Sequence, residues 1–214
     1  EKGMNHRGLT GLTSGLADLD RITGGWQAGQ LITLAGRPGM GKTAAAVDFM
    51  LHACEGGARV GFISQEMVDK DLFMRLACIE TGVGCKQAKQ GKINTNQWGK
   101  LVTSAGEMAK KHGESMFLYD TPNLTPQQLR ARALAWKARS GVDMVIVDYM
   151  QLMRVPGLEN NRVQEISTIS RALKNLAMEL KIPVIGLSQL NRGVEQRENK
   201  RPAASDLRES GQIE

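Results

Sequence analysis

Gly36-Arg37-Pro38-Gly39-Met40-Gly41-Lys42-Thr43 has the spacing G-x-x-x-x-G-K-T, and its flanks decide its meaning. Gln30-Leu31-Ile32-Thr33-Leu34-Ala35 precedes it as a short apolar strand. Ala44-Ala45-Ala46-Val47-Asp48-Phe49-Met50-Leu51 follows it as a strong helix start. Strand, glycine loop and helix in that order make a phosphate-binding loop. The glycines let successive backbone N–H groups curl around an anion, and the helix N-terminus adds partial positive charge. The cradle runs through Gly36, Pro38, Gly39, Gly41, Lys42, Thr43 and Ala44. Lys42 is placed for the β- and γ-phosphates of ATP, and the Thr43 hydroxyl for Mg²⁺.

Outward from this loop, apolar strands alternate with helices. Strands are expected at 30–35, 59–64, 115–119, 143–148 and 183–188. Helices are expected at 43–56, 69–81, 95–112, 125–139 and 163–181, with a short one over 15–21. The last long helix shows helical spacing at Val163, Ile166, Ile169, Leu173, Leu176 and Leu180. Thr125-Pro126 reads as an N-cap followed by proline at the first helical position. Strands that are apolar throughout and separated by helices imply a parallel sheet covered on both faces. Residues 1–29 are turn-rich and read as a linker; residues 30–214 read as an ATPase core. Two segments interrupt the alternation, a loop over 152–161 and a basic stretch over 190–211. Both follow carboxyl ends of strands, where open α/β sheets bind ligands.

The bulk numbers agree with one α/β domain: 214 residues, 41% hydrophobic and 23% charged. No apolar run approaches a bilayer span. The first methionine is Met4, and no signal peptide is visible, so the chain reads as a cytoplasmic protein and as a fragment of something longer. A net charge of +6 is compatible with a polyanionic partner without requiring one. Cys54, Cys78 and Cys85 lack metal-ligand spacing and read as reduced thiols. His6, His52 and His112 are scattered and carry no expected role.

Asp143-Met144-Val145-Ile146-Val147-Asp148 is a buried strand ending in an acid. Downstream of a phosphate loop this is the Walker B pattern, with Asp148 holding Mg²⁺; a strand-end cap is the plainer alternative. Hydrolysis also needs a group that positions or deprotonates water. Tyr149 follows Asp148, and no acid follows until Glu159. Glu66, just after the second strand, is therefore the candidate base, provided that strand lies beside the Asp148 strand. Gln189, at the tip of the fifth strand, is the candidate sensor of the γ-phosphate.

These motifs converge. Gly36–Thr43, Ser64–Met67, Val147-Asp148-Tyr149-Met150-Gln151-Leu152 and Leu187-Ser188-Gln189-Leu190-Asn191-Arg192 resemble the C-terminal, RecA-like motor domain of DnaB-type replicative DNA helicases, bacterial or phage-encoded. The tail from Glu195 through Ser205-Asp206-Leu207-Arg208-Glu209-Ser210-Gly211 is similar to that family's second central-channel loop. The resemblance implies a sheet order 3-2-4-1-5, counting the strands above. It implies Lys42, Thr43 and Asp148 at ATP–Mg²⁺, Glu66 as catalytic base and Gln189 as sensor. It implies single-stranded DNA contacts from Arg192, Arg197, Arg208, Glu209 and Gly211. It also implies a homo-hexameric ring, primase and a helicase loader as partners, no membrane, and an arginine finger beyond residue 214. A RadA-like recombinase, a nucleotide-binding regulatory module and a small-molecule kinase are the competing readings. The kinase reading lacks an arginine-bearing lid and an acceptor pocket.

From Met150 to Glu214 there is no Phe, Tyr or Trp. Single-strand binders often stack bases on such rings. If these loops bind DNA, they must hold it through its sugar-phosphate backbone by Arg, Lys and main-chain N–H groups. We therefore predict that Arg208→Ala in the full-length protein weakens single-stranded DNA binding about equally for all sequences. The slope of log affinity against log salt should shrink by roughly one. Filter binding across a salt series with homopolymers of each base checks it; a base-dependent loss would contradict backbone holding.

Overall fold

A computed structural model of the chain describes residues 8–191, 199, 201–203 and 206–207. Five strands, β1 (Leu31–Gly36), β2 (Val60–Ser64), β3 (Met116–Asp120), β4 (Met144–Asp148) and β5 (Val184–Gln189), form one parallel sheet. The helices are α1 (Ala17–Thr23), α2 (Lys42–Glu55), α3 (Asp69–Thr81), α4 (Cys85–Lys89), α5 (Thr95–His112), α6 (Pro126–Ser140) and α7 (Arg162–Leu180). A 3₁₀ turn covers Met150–Leu152. Short α4 and this turn are the elements that the apolar periodicity does not foretell, because neither is long enough to show a period.

The sheet order is β1-β5-β4-β2-β3. Three of the four expected neighbours occur: β3 with β2, β2 with β4, and β1 with β5. The fourth is corrected. β4 pairs with β5 rather than with β1, so β5 lies between the two strands that carry the phosphate loop and Asp148. The reason is burial on two faces. Val184 through Ser188 are all buried, whereas all six residues of β1 are only partly covered. Among the described residues β1 is therefore an edge strand.

Side-chain alternation sorts the core into two layers. Val60, Phe62, Met144, Ile146, Ile185 and Leu187 face α2, α3 and α5. Ile63, Val145, Val147 and Val184 face α6 and α7. Ile166, Ile169, Leu173, Leu176 and Leu180 of α7 are buried as their spacing requires, but Val163 stands 53% exposed at the helix start. The α6 cap forms as the sequence indicates: Gln128 N donates to Thr125 Oγ1 at 3.3 Å, and Thr125 N donates to Gln128 Oε1 at 3.0 Å. Ahead of β1, Trp26 packs its ring 5.4 Å from that of Phe49 and is buried.

Gly61 is a tight point of this packing. A Cβ there would lie 2.5 Å from the Trp136 ring of α6. We predict that Gly61→Ala destabilises by about 1–3 kcal/mol through overpacking. Gly106, exposed mid-way along α5 with nothing within 4 Å of a Cβ, is the control. Gly106→Ala should stabilise by roughly 0.5–1 kcal/mol by restricting the unfolded chain and favouring helix. Urea melts of both variants check the pair; equal shifts of one sign would refute the packing argument.

Candidate active site

The glycine loop joins β1 to α2 with backbone that only glycine adopts cheaply. Gly39 has φ 76° and Gly41 φ 90°. A Cβ at either would meet nothing within 4 Å, so the dihedral angle, not space, demands glycine. The turn is closed by Met40 N donating to Arg37 O at 3.2 Å, and α2 begins with Ala45 N donating to Gly41 O at 2.9 Å. The N–H groups of Lys42, Thr43 and Ala44 precede that first helical bond and so have no partner within α2. No acid occupies the first turn of α2, so nothing negative competes with an anion there. The Lys42 ammonium lies inside the loop, 3.0 Å from Gly36 O and 3.4 Å from Arg37 O. The cavity beside it, about 280 Å³, is lined by Gly36, Arg37, Met40, Gly41 and Lys42 together with Leu190 and Pro202. A larger groove of about 690 Å³ sits at the amino ends of the strands, around Trp26 and Pro183, away from every one of these phosphate-binding features.

Parallel register brings the remaining residues to the same edge. Gly36 is opposite Gln189, and Ser64 is opposite Asp148. Gln65 N extends the β2–β4 ladder by donating to Asp148 O at 2.8 Å. Glu66 is the next residue and is exposed. Its charge reaches both Asp148 and Tyr149 and helps to raise the pKa of each, after burial. The condition set by the sequence for Glu66, adjacency of its strand to that of Asp148, is met.

Asp148 is the electrostatic centre of the edge. It is 1% exposed. Burial pushes its carboxyl above the usual carboxylate range, and the Glu66 charge adds to the rise. A hydrogen bond from Thr43 opposes it, with smaller help from the charges of Lys42 and Arg75. Its Oδ2 is buried without a hydrogen-bond partner. An unpaired buried carboxylate oxygen is costly. The donor set suits Mg²⁺, which takes one or two protein oxygens plus water and substrate phosphates rather than a full protein cage. Among the described residues no group of three or more His, Cys, Asp or Glu side chains could hold a metal ion.

Two residues at this edge are not singled out by sequence reasoning. Arg75 on α3 keeps its Nε buried and unbonded while its charge reaches Asp148. The available signal is an arginine between Leu72 and Leu76, both fully buried. Gln151 reaches β5, its Nε2 donating to Ser188 Oγ at 2.7 Å and to Gln189 O at 3.2 Å. It lies in a motif quoted above, where it carried no role. Arg192, Arg197, Arg208, Glu209 and Gly211 lie outside the described residues.

The model of the family described as "DnaB-like helicase C terminal domain" matches residues 11–214. The chain belongs to that family. It is 41% identical over 217 residues to the Replicative DNA helicase DnaC of Bacillus subtilis, covering 100% of this chain and 47% of that protein. It is 42% identical over 208 residues to the Replicative DNA helicase DnaB of Geobacillus stearothermophilus, covering 96% of this chain and 45% of that protein. The chain thus spans about half the length of these curated relatives. Among solved structures, one described as an ATPase domain superposes with a TM-score of 0.88 at 35% identity, covering 96% of this chain and 72% of that one. A DnaB-like replicative helicase, whose structure is described with its interactions with primase, superposes at 0.87 and 35% identity, covering 96% of this chain and 49% of that one. The RadB recombinase, at 0.52 and 20% identity over 92% of this chain and 78% of that one, shares the fold. The RecA-like reading of the sheet therefore holds, with β5 and β1 exchanged relative to the expected order. No helix among the described residues is long and apolar enough to cross a membrane.

Asp148→Asn tests Asp148 as a seat for Mg²⁺. Asparagine keeps an acceptor for Thr43 and removes the buried charge. We predict that without Mg²⁺ the variant melts at or above the wild-type temperature. The Mg²⁺-dependent part of the thermal shift given by ATP should be lost. Scanning calorimetry with ATP, with and without Mg²⁺, checks this; an unchanged Mg²⁺-dependent shift would place the ion elsewhere.

Proposed function

We propose that this chain is the ATP-hydrolysing motor of a replicative DNA helicase, a cytoplasmic protein that translocates on single-stranded DNA and unwinds duplex. The observation that carries the reading is a buried Asp148 oxygen without a hydrogen-bond partner, on a carboxyl that feels Thr43 and Lys42 of the phosphate loop. An unpartnered oxygen there, at the edge that also holds the phosphate loop, suits a hard cation. The division of the chain into a linker over 1–29 and an ATPase core over 30–214 belongs to the same proposal.

In this reading the N–H groups of the loop and of the first turn of α2 bind the phosphates of ATP, and Lys42 leaves its carbonyl partners for the β- and γ-oxygens. Thr43 and Asp148 would hold Mg²⁺, which would supply charge neutralisation at those phosphates. Glu66 is exposed at the mouth of the site, where it can hold and deprotonate a water aimed at the γ-phosphorus. Exposure suits that role, since the water must enter and the proton must leave. Gln189 stands at the strand tip opposite Gly36 and reads whether the γ-phosphate is present. Arg75 supplies fixed positive charge behind Asp148. The basic residues Arg192, Arg197 and Arg208, with Glu209 and Gly211, contact the DNA backbone. An arginine from a neighbouring subunit of a hexameric ring completes the γ-phosphate site, a contribution worth on the order of 10³ or more in rate. Primase and a loader are the partners that this assembly engages. The similarity to RadB is one of fold, so it lends no weight to strand exchange.

In the full-length protein, Glu66→Gln should bind ATP–Mg²⁺ normally and lose about 10²–10⁴ in turnover. Lys42→Ala should lose turnover and most nucleotide affinity. Wild-type turnover should rise with single-stranded DNA, and a forked duplex should be unwound. Wild-type turnover in Glu66→Gln would remove Glu66 as the base. Strand exchange without unwinding would replace the helicase reading by the recombinase one.

A further inference from the structure

The strand tip that carries Gln189 and the loop over 153–161 are tied together through one buried carboxylate. Gln151 grips β5 in both directions: its Nε2 donates to Ser188 Oγ and Gln189 O, and Gln189 N donates back to its Oε1 at 3.2 Å. The Gln151 main-chain oxygen accepts from Arg162 Nη2 at the start of α7. Arg162 Nη1 donates to Glu165 Oε2, and Arg154 Nη1 lies 3.8 Å from the same oxygen. The other carboxylate oxygen, Oε1, accepts from Val155 N at 3.0 Å. Glu165 is fully buried, whereas Arg154 and Arg162 reach solvent. Both ends of the loop, residues 154–155 and residue 162, thus converge on Glu165, and the line runs on to Gln151 and β5. A helix cap alone would not need this. Asn161 already caps α7 by accepting from Gln164 N.

We propose that Arg162 and Glu165 form a latch that couples the β5 tip to the loop over 153–161, making Glu165 a positioning residue for DNA-dependent turnover. The latch rests on the helicase reading above. Each element of the line is held at two points, so a shift of Gln189 cannot be absorbed by Gln151 alone. It must move Arg162 against a carboxylate that holds the loop from inside. Pulling an arginine away would leave the fully buried Glu165 carboxylate short of a partner, which is costly, so the unit moves together. Two discrete arrangements of such a unit are what coupling between sites requires.

The test uses the full-length protein with Glu165→Gln and Arg162→Lys. Glu165→Gln keeps an acceptor for Val155 N and removes the charge that holds both arginines. Arg162→Lys keeps a cation against Glu165 and loses the fork that also reaches Gln151, so it stands in should the first variant fold poorly. Basal ATP turnover should stay within about twofold of wild type, while stimulation by single-stranded poly-dT falls about 5-fold or more. The double variant should be no worse than the worse single one. Hydrogen exchange over residues 153–161 should differ between ADP and a non-hydrolysable ATP analogue in wild type, and lose that difference in both variants. An unchanged ratio of stimulated to basal turnover in both variants would overturn the latch, as would a parallel fall of both rates. Equal exchange over 153–161 in the two nucleotide states of wild type would overturn it too. If wild type responds to nucleotide in exchange but not to DNA in turnover, the helicase reading fails and takes the role in DNA-dependent turnover with it; loss of the exchange difference in both variants would then support only the mechanical tie between β5 and the loop.

Discussion

The site depends on one constraint, the parallel register of four strand ends. Gly36 opposite Gln189 and Ser64 opposite Asp148 put the glycine loop, Gln189, Asp148 and the start of the Gln65–Glu66 segment on a single edge. Strand side chains alternate, so a slip of one residue would turn each of these groups to the other face. The register is protected by what lies beneath it. Met144 and Ile146 are buried on one side of β4, Val145 and Val147 on the other. A slip would press the larger pair into spaces shaped for the smaller one. It would also carry Asp148 away from Thr43 and Lys42, which hold its raised pKa down. Core packing thus fixes the chemistry at the rim from below.

That rim is not arranged for stability. Burying Asp148 with one oxygen unpartnered works against the fold, and the Glu66 charge nearby makes it worse. Thr43, Lys42 and Arg75 offset part of the cost. In the proposed function a cation bound with phosphates would offset the remainder, which would link ligand binding to local stability.

Much of this was legible in the sequence because the signals are local. Strand ends and helix starts fall within a residue or two of their periodicity, and Thr125-Pro126 builds the cap that its residue types predict. Adjacency of the Glu66 and Asp148 strands followed from the resemblance of their motifs to one family and holds. The place of β5 was not legible. Val184–Ser188 and Leu31–Ala35 are both short apolar runs, and only three-dimensional burial tells the covered strand from the edge one. Arg75 was hidden because a single arginine on an amphipathic helix looks like a solvated one until its Nε is found buried. Gln151 was hidden because an amide acts through whatever it meets, and its partners on β5 are 37 and 38 residues away in sequence.

The most direct measurement places a paramagnetic reporter in the metal seat. Mn²⁺ replaces Mg²⁺ in a complex of the full-length protein with ATP, and electron–nuclear double resonance reads the nuclei around it. The account predicts phosphorus couplings from the nucleotide and a spectrum altered from that of free Mn–ATP. It also predicts that Asp148→Asn returns the spectrum toward the free form. A wild-type spectrum indistinguishable from free Mn–ATP, or one untouched by Asp148→Asn, would contradict the claim that strand register assembles one phosphate–metal edge.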